Sequence, residues 1–409
     1  MKQIAFIICV HLCSSVAMNA QQASESSLRQ ALQANTGTVT LPAGIIEISR
    51  EIVLPSDAHD LDIRGTSTTI KASAAFRGRA LLVLPAGKNI KVRTLSLDGN
   101  RDAFPQTVAP APSASMLSRV VANNGILAEG VIGLELAQLT ATQFPGFAFV
   151  VNGGRNIRIH DVEITQSGSL DASGHNNGSG GILLEEGVAD FEILHALIGK
   201  VRGNGIWVRS TAPAGAATTA ATGRIADCEF AILGRAAIEL NHAAAVTIEN
   251  NTGHMIGFPG EEVFTGGNAL PAAITMTGEV GHSLIRNNNF GQLAGRCLYL
   301  DGFNDGEVTG NECADGLFNG FLIRGARNRV TGNRLTAMNS AHRDQPESLR
   351  IGIYLAGGST GNTVESNEVA GYGMAKYCIG GPALAANHVA KNVCSDGASV
   401  ARLLPGIRH

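Results

Sequence analysis

The sequence predicts an all-β solenoid, a stack of short coils that return the chain repeatedly to the same faces. Three observations predict it. An aliphatic residue is followed three positions later by Asn in Ile248-Glu-Asn-Asn251, Ile285-Arg-Asn-Asn288, Val308-Thr-Gly-Asn311, Val330-Thr-Gly-Asn333, Val364-Glu-Ser-Asn367 and Leu384-Ala-Ala-Asn387. Short strands, each a small residue and then alternating aliphatics, begin at Ile126, Phe147, Ile182, Ile206, Ile238, Ile274, Leu298, Phe321 and Ile353, with shortest steps of 21 to 24 residues. From the Asn position to the next such strand the spacing is 10 residues in five coils. A constant coil with extra residues entering mostly at one corner is the mark of a stacked repeat.

Asn suits the bend of such a coil, because it tolerates left-handed backbone angles and its amide can bond the equivalent amide one coil along. In the upstream coils Ala137, Val162, Ala196 and Cys228 take that position. The longer insertions, 165–180, 211–223, 254–272 and 337–350, all flank one strand column. Loops held on a rigid scaffold are where function concentrates.

Composition agrees. The 409 residues include 50 Gly and only 13 Pro, 16% are charged, and the net charge is −3. No basic patch interleaved with aromatics is present, so nucleic acid is not an expected partner. Residues 1–20 read as a Sec-type signal peptide: Lys2, the apolar run Ile4 to Val10, then small residues to Ala20. No later stretch is long and apolar enough to span a bilayer. The expected location is therefore extracellular or periplasmic, where disulfides form. Of the five remaining cysteines, Cys378 and Cys394 are a candidate staple and the others read as small interior residues.

Within 21–38, Ser26 to Ala34 has Leu28, Ala31 and Leu32 on one helical face, and Asn35 and Gly37 as a stop. A solenoid end exposes an apolar cross-section, and this helix is the expected cap. The solenoid itself is placed at 39–395, with two less regular coils at its start. A Pro/Ala/Ser-rich loop occupies 103–118, and 396–409 is a tail.

The pieces Leu41-Pro-Ala-Gly44, Ser96-Leu-Asp-Gly-Asn100 and the Asn segments resemble the right-handed parallel β-helix proteins of the pectate lyase superfamily, over roughly residues 36 to 395. The resemblance implies three strands per coil, Asn in the bend between the second and third, and substrate lying along the first sheet. The Ile182-type strands would form that sheet. A leucine-rich repeat has an overlapping period, but its Leu-x-x-Leu-x-Leu frame is missing here.

Side chains alternate along a strand, so inward Ile182/Leu184 and their equivalents fix two outward columns. One reads Leu183, Trp207, Glu239, Thr275, Tyr299, Leu322, Tyr354. The other reads Glu185, Arg209, Asn241, Thr277, Asp301, Arg324, Ala356. The single Trp and two of the four Tyr share a column, an arrangement suited to stacking sugar rings. Arg209, Glu239, Tyr299 and Asp301 are the candidate catalytic residues. Glu185, Trp207, Asn241, His242, Arg324 and Tyr354 are the candidate substrate contacts, with His175 and His254 in flanking loops. Glu239 and Asp301 are two coils apart, about 10 Å, near the wider carboxylate separation of inverting glycosidases. Removal of a proton beside a uronate carboxylate would instead need a base, a proton donor and a cation. Tyr299, His242, Arg209 and Arg324 supply those types. Asp301 with Asp305 offers oxygen ligands for calcium, but no metal site is assigned.

The active-site motifs of polygalacturonases, pectate lyases and alginate epimerases are absent. The expected function is cleavage or modification of an acidic polysaccharide, by β-elimination or hydrolysis, by a monomer. The alternative is a polysaccharide-binding or adhesion module.

Overall fold

In the computed structural model the described residues are 24–109, 115–210, 221–257, 272–337, 349–371 and 378–395. The signal-peptide and tail assignments, and most of the loops expected at 211–223, 254–272 and 337–350, lie outside them. The chain forms a right-handed parallel β-helix. From Phe149 onward each full coil contributes one strand to each of three sheets. In one coil these are Ile206–Arg209, Gly223–Ala226 and Glu229–Leu233. Each pairs in parallel with its equivalent in the next coil, at Ile238–Asn241, Val246–Glu249 and Thr252–Ile256.

Inward aliphatics from all three sheets fill one continuous core running from Leu28 to Cys378 and Ala383. At its N-terminal end lies helix α1, Glu25–Ala31, with Leu28 and Leu32 fully buried. Ser24 caps the helix through a reciprocal bond with Ser27. Glu25 and Arg29 fasten α1 to the backbone of Ser49, Arg50 and Glu51. The helix thus plugs the apolar cross-section, as its sequence predicts.

The asparagine ladder is real, and its amides run between coils. Asn251 Nδ2 donates to Asn288 Oδ1 at 2.9 Å, and the same link joins Asn288 to Asn311, Asn311 to Asn333, Asn333 to Asn367 and Asn367 to Asn392. The same Oδ1 also accepts the backbone N–H of the rung before it, as from Asn251 N at 3.0 Å. Every rung up to Asn367 is buried, so each bond satisfies groups that water cannot reach.

Three corrections follow. The last rung is Asn392, not Asn387. Asn387 ends a second ladder, Asn328–Asn362–Asn387, at the bend between the first and second sheets. The left-handed residue is not the ladder Asn but the residue before it, such as Asn250 (φ +55°) and Asn287 (φ +54°). The strand expected at Phe147 starts at Phe149, which pairs with Ile126 and Ile182. The Asn-equivalent position in the preceding third-sheet segment moves with it, from Ala137 to Leu139. The slip of two leaves the inward and outward faces unchanged.

Two disulfides join the first and third sheets within a coil, Cys297–Cys313 and Cys378–Cys394, each closing a separation of 16 residues. The first was expected to be a pair of interior thiols. Inward positions at the same height of one coil brought them together instead. Cys228 is a buried thiol whose pKa burial pushes up to about 12, leaving it a small apolar residue at neutral pH.

Truncating one rung should be costly. Asn311→Ala strips the acceptor from Asn288 N and Nδ2, and should lower stability by about 2–4 kcal/mol, read from the shift of the denaturant midpoint. On the N-terminal coils, burial works against the Asp62 carboxylate, but Arg64 and Arg93 overcome it and hold its pKa at about 2. A carboxylate depressed in the folded state stabilises above its ordinary pKa of 3.8 and loses that contribution as pH falls through 2. Asp62→Asn should therefore lower the melting temperature at pH 7 and leave it nearly unchanged at pH 2.

Candidate functional site

The register keeps the two outward columns of the first sheet in line. Leu183, Trp207, Glu239, Thr275, Tyr299, Leu322 and Tyr354 pair in succession, as do Glu185, Arg209, Asn241, Thr277, Asp301 and Arg324. What covers those columns differs along the solenoid.

Over the N-terminal coils the face is roofed. Residues 104–109 and 115–123 cross it as a strap that carries the short helix α2, Leu117–Val120. Leu117 packs with Val83, Leu127, Phe147, Val150 and Leu183 in a second apolar cluster outside the solenoid core, and Trp207 borders it. Glu185 points out of the sheet as alternation requires, yet it is fully buried under α2. Its carboxylate accepts the backbone N–H groups of Leu117 at 2.7 Å and Ser118 at 2.9 Å, and lies 3.5 Å from Arg209 Nη1. The structure thus places Glu185 as the anchor of the strap, without access to a substrate. The strap is also tied to the 165–180 loop, where Val108 N donates to Leu170 O and Leu170 N to Gln106 O, and to the corner after Leu197–Val201, where Arg202 Nη1 donates to Gln106 Oε1.

Beyond the strap the face opens into a cleft of about 1070 Å³. Trp207, Arg209, Glu239, Asn241 and His242 line it, as do Arg235, Thr277 and the strap itself. The Trp207 indole N–H donates to Asn241 Oδ1, and Asn241 Nδ2 donates to Thr277 Oγ1 at 2.7 Å. The Arg209 guanidinium sits 5.1 Å from the Trp207 ring centroid. These bonds hold the indole as a fixed ledge. Gly178 allows the close approach of the 165–180 loop, since a Cβ there would come within 2.8 Å of the ring.

Glu239 is half-buried, and Asn204 Nδ2 donates to its Oε2 at 2.7 Å. His242 follows the strand at φ +54°, and its Nδ1 accepts from Glu279 N at 3.4 Å. Among the described residues that line the cleft, Glu239 is the only carboxylate.

Arg235 is the residue that sequence reasoning missed. It lies three positions before the strand, in the corner that leads from the third sheet into the first, where the preceding coil has Gly203. No signal in the repeat singled it out, since the same position carries Gly203, Gly295, Phe318 and Arg350 in other coils. Among the described residues no hydrogen bond or ion pair engages its guanidinium.

The remaining candidates stand further along the same face and do not line the cleft. Asp301 pairs with Arg324 Nη1 at 2.8 Å. Tyr299 receives the Arg296 guanidinium 5.7 Å from its ring centroid. Burial lowers the pKa of Arg296, and its Nε donates to Asn319 Oδ1. Tyr354 lies beyond Leu322 in the same column. Asp305 pairs with Arg327, whose Nε donates to its Oδ1 at 2.6 Å. Among the described residues no three His, Cys, Asp or Glu side chains converge in a metal-holding arrangement. His254 lies on a third-sheet strand, away from the cleft, because its segment pairs with Glu229–Leu233. His175 is bound to Asp171 in the 165–180 loop.

Fold and cleft together define a right-handed parallel β-helix whose first sheet carries a groove roofed at one end. No protein-family model matches the chain, and no curated protein matches it in sequence. Solved structures do match it. The N-terminal fragment of bacteriophage phi29 gene product 12 is 13% identical over 90% of this chain and 67% of that one, with a TM-score of 0.61. The Streptococcus pneumoniae surface protein and adhesin PfbA is 11% identical over 91% of each chain, at 0.54. The A-module of the Azotobacter vinelandii mannuronan C-5 epimerase AlgE6 is 15% identical over 91% and 94%, at 0.51. At these identities the likeness shows the fold.

Removing the strap anchor tests the roof. Glu185→Ala removes the buried acceptor of Leu117 N and Ser118 N and the buried carboxylate beside Arg209, and should cost about 3–5 kcal/mol. It should also speed limited proteolysis within 115–123 before any cut in the solenoid.

Proposed function

We propose that the protein is an extracellular, carbohydrate-active β-helix protein that acts on an acidic polysaccharide by proton transfer in the cleft over the first sheet. The observation that carries this reading is the convergence, in one cleft, of an aromatic ledge, a carboxylate, a histidine and an arginine whose guanidinium has no partner among the described residues. Trp207 stacks a sugar ring. Arg235 takes the uronate carboxylate and neutralises it, which acidifies the adjacent C–H. Glu239 and His242 are the proton-transfer groups. In elimination, the base takes the proton beside the carboxylate, a carbon–carbon double bond forms, the glycosidic C–O bond breaks, and the leaving oxygen is protonated. Arg209 positions Trp207, while Arg324 is occupied by Asp301.

Two-carboxylate hydrolysis is the less favoured chemistry, because Asp301 lies outside the cleft in an ion pair. Tyr299 and Tyr354 extend the same face as further ledges for a longer chain. The disulfides Cys297–Cys313 and Cys378–Cys394 support an oxidising, extracellular setting. A non-catalytic glycan-binding module is the second reading. It draws on the same ledge and on the fold shared with a protein described as a surface adhesin.

Incubation with polygalacturonate, alginate and neutral polysaccharides, following both reducing ends and the absorbance of unsaturated products, tests the proposal. Glu239→Gln should lower turnover by about 10²–10⁴-fold on the polymer that the wild type cleaves. Arg235→Ala should weaken action on uronate polymers without creating action on neutral ones. Binding without product would favour the module. Retained turnover in both variants would place the chemistry elsewhere.

A further inference from the structure

The strap does more than border the cleft. In the coils of Val83, Leu127, Val150 and Leu183 these side chains of the first outward column are exposed by 1% or less, whereas in the second column Pro85, Glu129 and Asn152 are half-buried and Glu185 is fully buried. From Trp207 onward most of the first column is half-buried and accessible: Glu239, Thr275, Tyr299 and Tyr354. Among the described residues one outward column is therefore blocked over four successive coils and accessible beyond them, and in the coil of Leu183 and Glu185 both columns are blocked. The block is built, not incidental. It has an apolar underside, Leu117 on Leu127, Val150 and Leu183. It has a buried charged anchor in Glu185, and a side tie from Arg202 to Gln106.

A polymer lying along the first sheet across many coils would have to pass beneath α2, through packed side chains. Trp207 stands immediately beside the coil of Leu183 and Glu185, where both outward columns are buried, so on the floor of the sheet a further unit on the N-terminal side of a sugar stacked on it would meet packed side chains. Resting on the function proposed above, we infer that the cleft receives a chain end: the terminal sugar seats on Trp207 against the strap, and the chain leaves over Glu239 and Thr275 toward Tyr299. The strap is the specificity-determining element, and Glu185 and Leu117 are its positioning residues. The products are short and come from one end of the polymer.

Intact and sonicated polygalacturonate and alginate test this directly. For a cleaved polymer, the expected result is short product from the first time points with little loss of viscosity. Rapid loss of viscosity at the same number of new ends would overturn the inference and leave the proposed function standing. For a polymer that is bound but not cleaved, the protein bound per gram should rise in proportion to the ends that sonication creates. An amount indifferent to sonication would overturn it. Absence of both binding and cleavage across the panel would overturn the proposed function, and the chain-end site with it. Leu117→Ser, which loosens the roof while keeping the Glu185 anchor, should raise the viscosity loss per bond cleaved, or the binding to unsonicated polymer. If the wild type shows end-directed behaviour and this variant retains it in full, with its strap shown by proteolysis to be released, the strap is not its cause.

Discussion

The amide of one buried asparagine bonding to the next is the interaction on which this molecule depends. The bend that follows the second sheet must turn within a residue or two, and it leaves backbone N–H groups facing the interior. Each Asn Oδ1 takes the N–H of the rung before it and the amide hydrogen of the same residue. Both needs are met by one side chain, and only if the neighbouring coil is in register. A coil displaced by one residue would break both bonds and turn its aliphatics outward. Hydrophobic burial gives the stack its stability, and the ladder gives it its phase.

Phase is what makes a site possible on such a scaffold. Because every coil is in step, an outward residue recurs at the same height on the first sheet whatever length of chain has been inserted between. Some 37 residues separate Asn251 from Asn288 and only 23 separate Asn288 from Asn311, yet the strands that follow align. Insertions therefore accumulate without penalty to the core. The strap is one such insertion, folded back on the face it interrupts. The chemistry of the cleft is thus an interplay between an invariant floor and variable walls.

The floor was legible in the sequence and the walls were not. Strand alternation placed Trp207, Glu239 and Asn241 on the outer face, because a period of two leaves no freedom once Ile206 and Val208 point inward. The slip between Phe147 and Phe149 did no harm for the same reason. Asn387 and Asn392 each follow an aliphatic by three residues, so pattern alone did not choose between them. The burial of Glu185 was beyond local reading, since its partners Leu117 and Ser118 are 68 and 67 positions away. Pairing of Asp301 with Arg324 was accessible: they are neighbours in one column of adjacent coils. Arg235 escaped because attention to the strand passed over the corner before it.

The two ends of the solenoid are guarded by different chemistry. At the N-terminal end α1 closes the stack by covering its oily cross-section. Near the other end Cys378–Cys394 closes a coil upon itself, and Cys297–Cys313 does the same further in. A coil fastened this way is a hoop rather than a spring: it cannot be peeled from the stack by pulling on the chain beyond it. Closing a loop of this size removes about 3 kcal/mol of entropy from the opened chain. Fraying that starts at the C-terminal end must halt at each hoop for as long as the surroundings stay oxidising. In a reducing environment the same stack would unravel from that end while its helical plug stayed in place.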